Sequence, residues 1–199
     1  VERVFTGAQS SDWFAAQNWV PSGIPGADDE AIIAGGVTVD FGADAQVGGF
    51  TLAGATLNGA GNLTVSGLLN WSGGSLAGTG VVNVNGNLLI SGDGTKTLAR
   101  TLNIAGAAIW ADNGNLVLNS GRIQIQSGGT FTIQNNRPIS SGGGSPVIEN
   151  AGVIRKTSSG TTTLSNVRLV STGALSVQAG LLSLTAGGTY TGVIEAPSA

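Results

Sequence analysis

Apolar and polar residues alternate with period two, in runs of only three to five residues, along most of the chain. The clearest stretch is 61–92, where Leu63 and Val65, Val82 and Val84, and Leu88 and Ile90 stand two apart. Such alternation marks a strand with one buried face. Glycines 61, 67, 73, 74, 78, 80, 86 and 92 punctuate the same stretch, and frequent glycine means sharp changes of direction. Short strands that turn this often predict a chain coiled round a narrow core.

The strand pattern starts at Ala31 and continues to the C-terminal region, with turns at Gly, Asn-Gly and Ser-Gly. Asn85-Gly86, Asp93-Gly94 and Asn113-Gly114 are turn dipeptides because both residue types tolerate positive φ. Leu63, Val82 and Leu102 follow one another at 19 and 20 residues. A repeat near twenty residues with three short strands matches one turn of a three-sided parallel β-helix. About twenty strands then make about six or seven turns, and at ~4.8 Å per turn a rod about 30 Å long. An antiparallel sandwich also has regularly spaced short strands, but its strands are longer and its turns lie 8–12 residues apart. The expected class is all-β: a parallel β-helix, or β-solenoid, with an N-terminal cap.

The cap is expected over residues 1–35, and the β-helix rod over 36–199. Residues 1–35 collect Trp13, Phe14, Trp19, Pro21 and Pro25. Residues 12–19 read as one short helical turn with Asp12 as its N-cap. A solenoid needs such an end, because its first coil otherwise exposes apolar interior and unpaired strand edges.

Composition narrows the chemistry. Hydrophobic residues make up 41%, enough for a core. Charged residues make up 10% and 34 residues are glycine, without a collagen-like period, so the surface is covered mainly by neutral polar side chains. The chain has no Cys, His or Met, which removes thiolate and imidazole catalysis and most zinc, copper and haem sites. Carboxylates and carbonyls remain, and these suit calcium. Net charge is −3, split into an acidic first half and a basic second half. Nucleic-acid binding is not expected, because the bases are scattered singly apart from Arg155-Lys156 and lack interleaved aromatics. No apolar run approaches the ~20 residues needed to span a bilayer. No signal peptide is recognisable, and the chain reads as a mature or excised piece.

Three segments carry a resemblance. DWFAAQNWVPSGIPGADDEAII (12–33) resembles a W-x-x-x-x-NW…P…D…I segment, through Trp13, Asn18, Trp19, Pro25, Asp28 or Asp29, and Ile32. NWSGGSLAGTGVVNVNG (70–86) resembles a W-s-G-G-l unit. ENAGVIRKTSSGTTTL (149–164) resembles an N-x-G-x-hydrophobic-x-K unit, through Asn150, Gly152, Ile154 and Lys156. All three units occur in bacterial exported β-helical proteins of the autotransporter-passenger and filamentous-haemagglutinin-like kind. The resemblance implies a right-handed helix that serves as a stalk or adhesive surface. Partners would be neighbouring domains of a longer surface protein, or a glycan or host surface. The implied location is extracellular or at the cell surface.

Candidate chemistry is sparse. Asp28 and Asp29, with Glu30, form the one acidic cluster and could supply calcium ligands, although no D-x-D or GGxGxD pattern follows. Trp71 and Trp110 would stack on sugar rings if exposed, and Arg155 and Lys156 are the basic pair that a ligand could meet. Asp93, Asp112, Arg155 and Lys156 together would be the components of a polysaccharide lyase on this fold. The acid–base inventory is thin, so the expectation is a structural or adhesive module with no catalytic residue. The alternatives are a carbohydrate-binding module and a lyase. The Thr161–Thr163 run does not recur at a fixed period, so an ice-binding array is not expected. The many asparagines are expected to form turn and ladder hydrogen bonds inside the coil.

Overall fold

The computed structural model describes residues 1–196. Parallel strands stack coil upon coil into a β-solenoid of about eight turns, with one three-residue 3-10 segment, Ala16–Asn18, as its helix. That is slightly more turns than the sequence spacing suggests. A turn has three short strands, and each strand pairs in parallel with its equivalent one turn away, except that Trp19–Val20 in the N-terminal region pairs antiparallel with Glu2–Phe5.

One face is a continuous eight-stranded parallel sheet. Its strands run from Ala45–Val47 through Leu63–Val65, Val81–Val84, Thr101–Ile104, Arg122–Ile125 and Val147–Asn150 to Arg168–Ser171 and Gly188–Tyr190. The second face includes Glu30–Ala34, Asn87–Ile90, Ala107–Trp110, Thr130–Ile133 and Val153–Lys156. The third includes Thr38–Asp40, Lys96–Leu98, Leu116–Asn119, Ile139–Gly143 and Thr161–Ser165. Two long strands, Gly49–Asn58 and Leu68–Leu76, bend across the corner and contribute to both of these faces, so the two are joined as one sheet. The sequence pattern divides 50–57 into two strands. The structure joins them with irregular register between Leu52 and Ala55, where Gly54 takes a positive φ of 75°.

Alternation follows from the pleat: every second residue points inward. Inward residues form columns. Ile33, Leu52, Trp71, Ile90, Trp110, Ile133 and Lys156 stack in register on the second face. On the eight-stranded face Leu63, Val82, Leu102, Ile123, Ile148 and Leu169 do the same, all buried. The period drifts, from 18 residues between Ala45 and Leu63 to 25 between Gln124 and Glu149. The longest turn absorbs its extra residues at two corners, in 126–129 between the eight-stranded and second faces and in 144–146 between the third and eight-stranded faces. In-register stacking survives because corners, not strands, vary in length.

One corner shows why glycine is so frequent. Gly48, Gly67, Gly86, Gly106, Gly129, Gly152, Gly173 and Gly192 recur once per turn between the eight-stranded face and the second face. A Cβ on Gly86 would overlap the Gly67 carbonyl oxygen, one on Gly106 that of Gly86, one on Gly152 that of Gly129, and one on Gly173 that of Gly152. The same carbonyls accept the next residue's N–H from the turn above: Asn87 to Gly67 at 2.9 Å, Val153 to Gly129 at 3.0 Å, Ala174 to Gly152 at 2.8 Å. Close backbone approach, rather than left-handed conformation, is what these positions require. Gly86, Gly94 and Gly114 therefore do not act as the positive-φ turn residues that their dipeptides suggest. Left-handed non-glycine residues occur at Asp112, Ser120 and Asn166 instead.

The N-terminal end is sealed by aromatics. Trp13 meets Trp19, Phe41 and Phe50 with ring centroids 4.7, 4.9 and 6.0 Å apart, and all four rings are buried. Edge-on aromatic packing of this kind is favourable beyond area burial. Trp19 donates its indole N–H to the Trp13 carbonyl at 2.7 Å. Buried Asn18 holds the cap loop: its Oδ1 accepts from the N–H groups of Gln9 and Ser10, and its Nδ2 donates to the Asp12 carbonyl at 2.7 Å. The expected Asp12-capped helix is corrected to the 3-10 turn Ala16–Asn18, which has no side-chain cap. Asp12 instead accepts the Phe14 N–H, and its backbone bridges to Asp40.

Candidate functional site

The outward side of the eight-stranded face carries three adjoining depressions. Their residues follow the strand register. One outward column runs Gln46, Thr64, Asn83, Asn103, Gln124, Glu149, Val170. Beside it runs Val81, Thr101, Arg122, Val147, Arg168. The first depression lies over Asp44, Gln46, Asn62, Thr64, Asn83 and Asn103. The second lies over Arg122, Pro146, Val147, Glu149, Asn166 and Arg168, and the third over Gln124, Glu149, Val170 and Thr172. Together they make a polar trough along the stacking direction, with one side chain of each column per turn, ~4.8 Å apart.

Hydrogen bonds order its floor. Asn103 donates Nδ2 to Asn83 Oδ1 at 2.8 Å, while Asn103 Oδ1 is buried and has no partner among the described residues. Glu149 accepts from Arg122 Nη1 on one oxygen and Gln124 Nε2 on the other, both at 2.6 Å. At the lower end Asp44 accepts the backbone N–H of Asn62 at 2.8 Å and its side-chain Nδ2 at 3.1 Å. These bonds, the backbone one foremost, hold the Asp44 carboxyl below the usual carboxylate range. Asn62 in turn accepts the Val81 N–H at 2.9 Å. The asparagine ladder thus lies largely on the outer surface, not within the coil, with Asn150 a buried exception.

The residues singled out from sequence lie elsewhere. Trp71 and Trp110 are both 0% exposed, two turns apart in one inward column with Ile90 between them. The expectation of an exposed sugar-stacking platform is therefore corrected: alternation places both rings in the core. Lys156 is also inward and buried, and donates Nζ to the Ser158 carbonyl at 2.9 Å, the Ser158 hydroxyl at 2.5 Å and Asn136 Oδ1 at 3.3 Å. Burial pushes its amine below the usual lysine range. Arg155 points the other way, half-buried on the second face between Thr132 and Ser176.

Asp93 and Asp112 come together at the corner between the second and third faces, on successive turns. Asp112 accepts the Gly92 N–H at 2.7 Å, and Asp93 that of Asn113 at 3.3 Å. Lys96, buried beside them, donates to the Gly92 carbonyl at 2.5 Å. Arg155 and these carboxylates do not face one another. At the cap, Asp29 accepts from Gly26 N–H at 3.0 Å and Arg3 Nε at 2.9 Å and pairs with the Val1 amino group at 2.8 Å, while Asp28 is exposed. Asp29 is thus a clasp between the first strand and the cap loop. No group of three or more acidic side chains suited to a metal ion is present among the described residues.

The trough residues have a signal in the sequence. Val82-Asn83-Val84, Leu102-Asn103-Ile104, Ile123-Gln124-Ile125 and Ile148-Glu149-Asn150 each place a polar side chain between inward residues. Their common spacing aligns the polar members only when the turns close in register. No family model, no curated protein and no solved structure matches the chain. The chemistry of the site therefore stands on its own residues. No helix among the described residues is long and apolar enough to cross a membrane.

Proposed function

We propose that the chain is a non-catalytic structural and adhesive β-solenoid module of an exported surface protein, and that the trough is its adhesive face. The unpartnered Asn103 Oδ1 carries this reading, because a buried acceptor without a donor is costly unless a ligand or water meets it. The amide columns around it offer donors and acceptors at a spacing close to one pyranose unit, which suits hydroxyl-rich polymers. A rod of stacked turns also serves as a spacer for neighbouring domains. The resemblance of the segments at 12–33, 70–86 and 149–164 to exported bacterial surface proteins supports an extracellular or cell-surface location.

A lyase reading draws less support. Lys156 is enclosed by Ser158 and Asn136, and Asp93 and Asp112 serve backbone N–H groups at a corner away from Arg155. The test is retention of the intact chain on a panel of immobilised polysaccharides, combined with ultraviolet assay for unsaturated sugar products. Retention without product, reduced by N83A/N103A, is expected. Product formation, or no retention on any polysaccharide, would overturn the reading.

A further inference from the structure

The trough changes character along its length. Its lower part is built from amides and Asp44, and its upper part from two arginines and one carboxylate. Arg122 and Arg168 stand in one outward column, separated by Val147. Two turns of stacking put them about 10 Å apart at their backbones. Both line the depression walled by Pro146 and the loop of the longest turn.

The charges there are unequally engaged. Glu149 is held by Arg122 and Gln124 at 2.6 Å each. Its charge is offset, and its two oxygens are occupied. Arg168 is exposed, and its guanidinium makes no ion pair or hydrogen bond with the described residues. The wall beside it is tied to the neighbouring turns. Gly144 sits directly over Ser120, and Asn166 is fixed in the left-handed region at φ 55° with its N–H on Thr185 Oγ1 at 2.9 Å. A free guanidinium over a depression is suited to bidentate recognition of an oxyanion that offers two oxygens on one side.

We propose that this upper part of the trough holds the anionic group of an acidic polysaccharide, with Arg168 as its anchor and Arg122, already oriented by Glu149, as the second cation. The proposal rests on the trough being a glycan-binding face and names the class of glycan. A saccharide is favoured over nucleic acid because the column that continues along the face is built of neutral amides, Asn83, Asn103 and Gln124, which match hydroxyl groups rather than a phosphate on every unit. An extended ligand is favoured over a free anion because the polar columns continue along the face. The anion is a carboxylate or a sulfate, both of which accept paired N–H donors.

The test is calorimetric titration of the intact protein with three probes of equal length: oligogalacturonate, a sulfated oligosaccharide and a neutral cello-oligosaccharide. The expected result is binding of one or both acidic probes at least about tenfold tighter than the neutral one, weakening with added salt. R168Q should remove about a tenfold share of that affinity. R137Q, which removes an exposed arginine at a different corner, should leave it unchanged. The stronger acidic probe identifies the anion. Equal binding of neutral and acidic probes overturns the acidic-glycan assignment but keeps the trough as a glycan face. Binding of none overturns both. Equal losses in R168Q and R137Q overturn the site, because the attraction is then general charge. Unchanged thermal unfolding of R168Q confirms that a lost affinity is not a lost fold.

Discussion

Gly106 lies directly above Gly86, so close that a Cβ on the upper residue would overlap the lower carbonyl oxygen. That contact is repeated at one corner from turn to turn. It ties the glycines of that corner to a single mechanical requirement: backbones must pass within van der Waals distance where the chain leaves one face for the next.

Gly106→Ala should therefore destabilise the protein by about 1–3 kcal/mol, the usual cost of forcing extra volume into a packed site. Gly42→Ala is the matched control. It is exposed, its φ lies outside the left-handed region, and no atom lies within 4 Å of the added methyl. It should change stability by no more than about 0.5 kcal/mol. Chemical denaturation of both variants checks the difference. Similar midpoints would show that the corner can spread.

The tryptophans give a second test. All four are at most 1% exposed, so intrinsic fluorescence should be blue-shifted and weakly quenched by acrylamide. Addition of saccharide should leave it nearly unchanged. Trp71→Ala should cost about 3–5 kcal/mol through the cavity it leaves. A red, easily quenched emission would place a tryptophan on the surface.

Arg100 fastens three turns from inside a corner. It donates to the carbonyls of Ala77 at 2.6 Å, Gly59 at 2.7 Å and Gly61 at 3.5 Å. Burial pulls its guanidinium down to about 10. Arg100→Met should leave the Ala77 and Gly61 carbonyls without the donor Arg100 supplies, while Gly59 keeps the Thr79 N–H, and cost about 1–3 kcal/mol. Arg100→Lys should recover little of that, because a point charge cannot fork over the separated acceptors. Urea unfolding of the two variants reads this directly.

Stability should also rise with pH on the alkaline side. Burial lowers the amines of Lys96 and Lys156 below their ordinary value of 10.5. Between the lowered value and 10.5 the folded chain binds fewer protons than the unfolded one, so unfolding becomes harder as pH rises through that window. Tyr190, raised by burial above its ordinary 10.0, acts in the opposite sense above that value. The thermal midpoint should therefore be followed below pH 10. Lys156→Met should flatten the rise, and an unchanged slope would show that Lys156 is fully solvated or neutral in both states.

Much of this architecture is legible in the residues. Leu63, Val65, Val82, Val84, Leu102 and Ile104 announce inward positions, and their spacing announces the turn. The aromatic cap is legible too, because Trp13 and Trp19 have no other apolar neighbourhood at that end. The trough is half legible. Asn83, Asn103, Gln124 and Glu149 occupy equivalent places in their strands, but an irregular period hides the alignment, and the amides read equally well as ladder residues inside the coil. Trp71 and Trp110 misdirect for the converse reason: large polarisable rings suggest sugar contact, and the parity that buries them is set by strands whose ends are uncertain.

The order of apolar and polar residues by itself determined that this chain would form short strands, turn at glycine, and bury an aliphatic filling. Those are local consequences of alternation and of backbone freedom. Tertiary stacking alone decided which glycines meet which carbonyls, which way each tryptophan and lysine faces, and that Arg122, Glu149 and Arg168 share one groove. Each of those depends on register between turns, and register is fixed only when every turn is closed on the one beneath it.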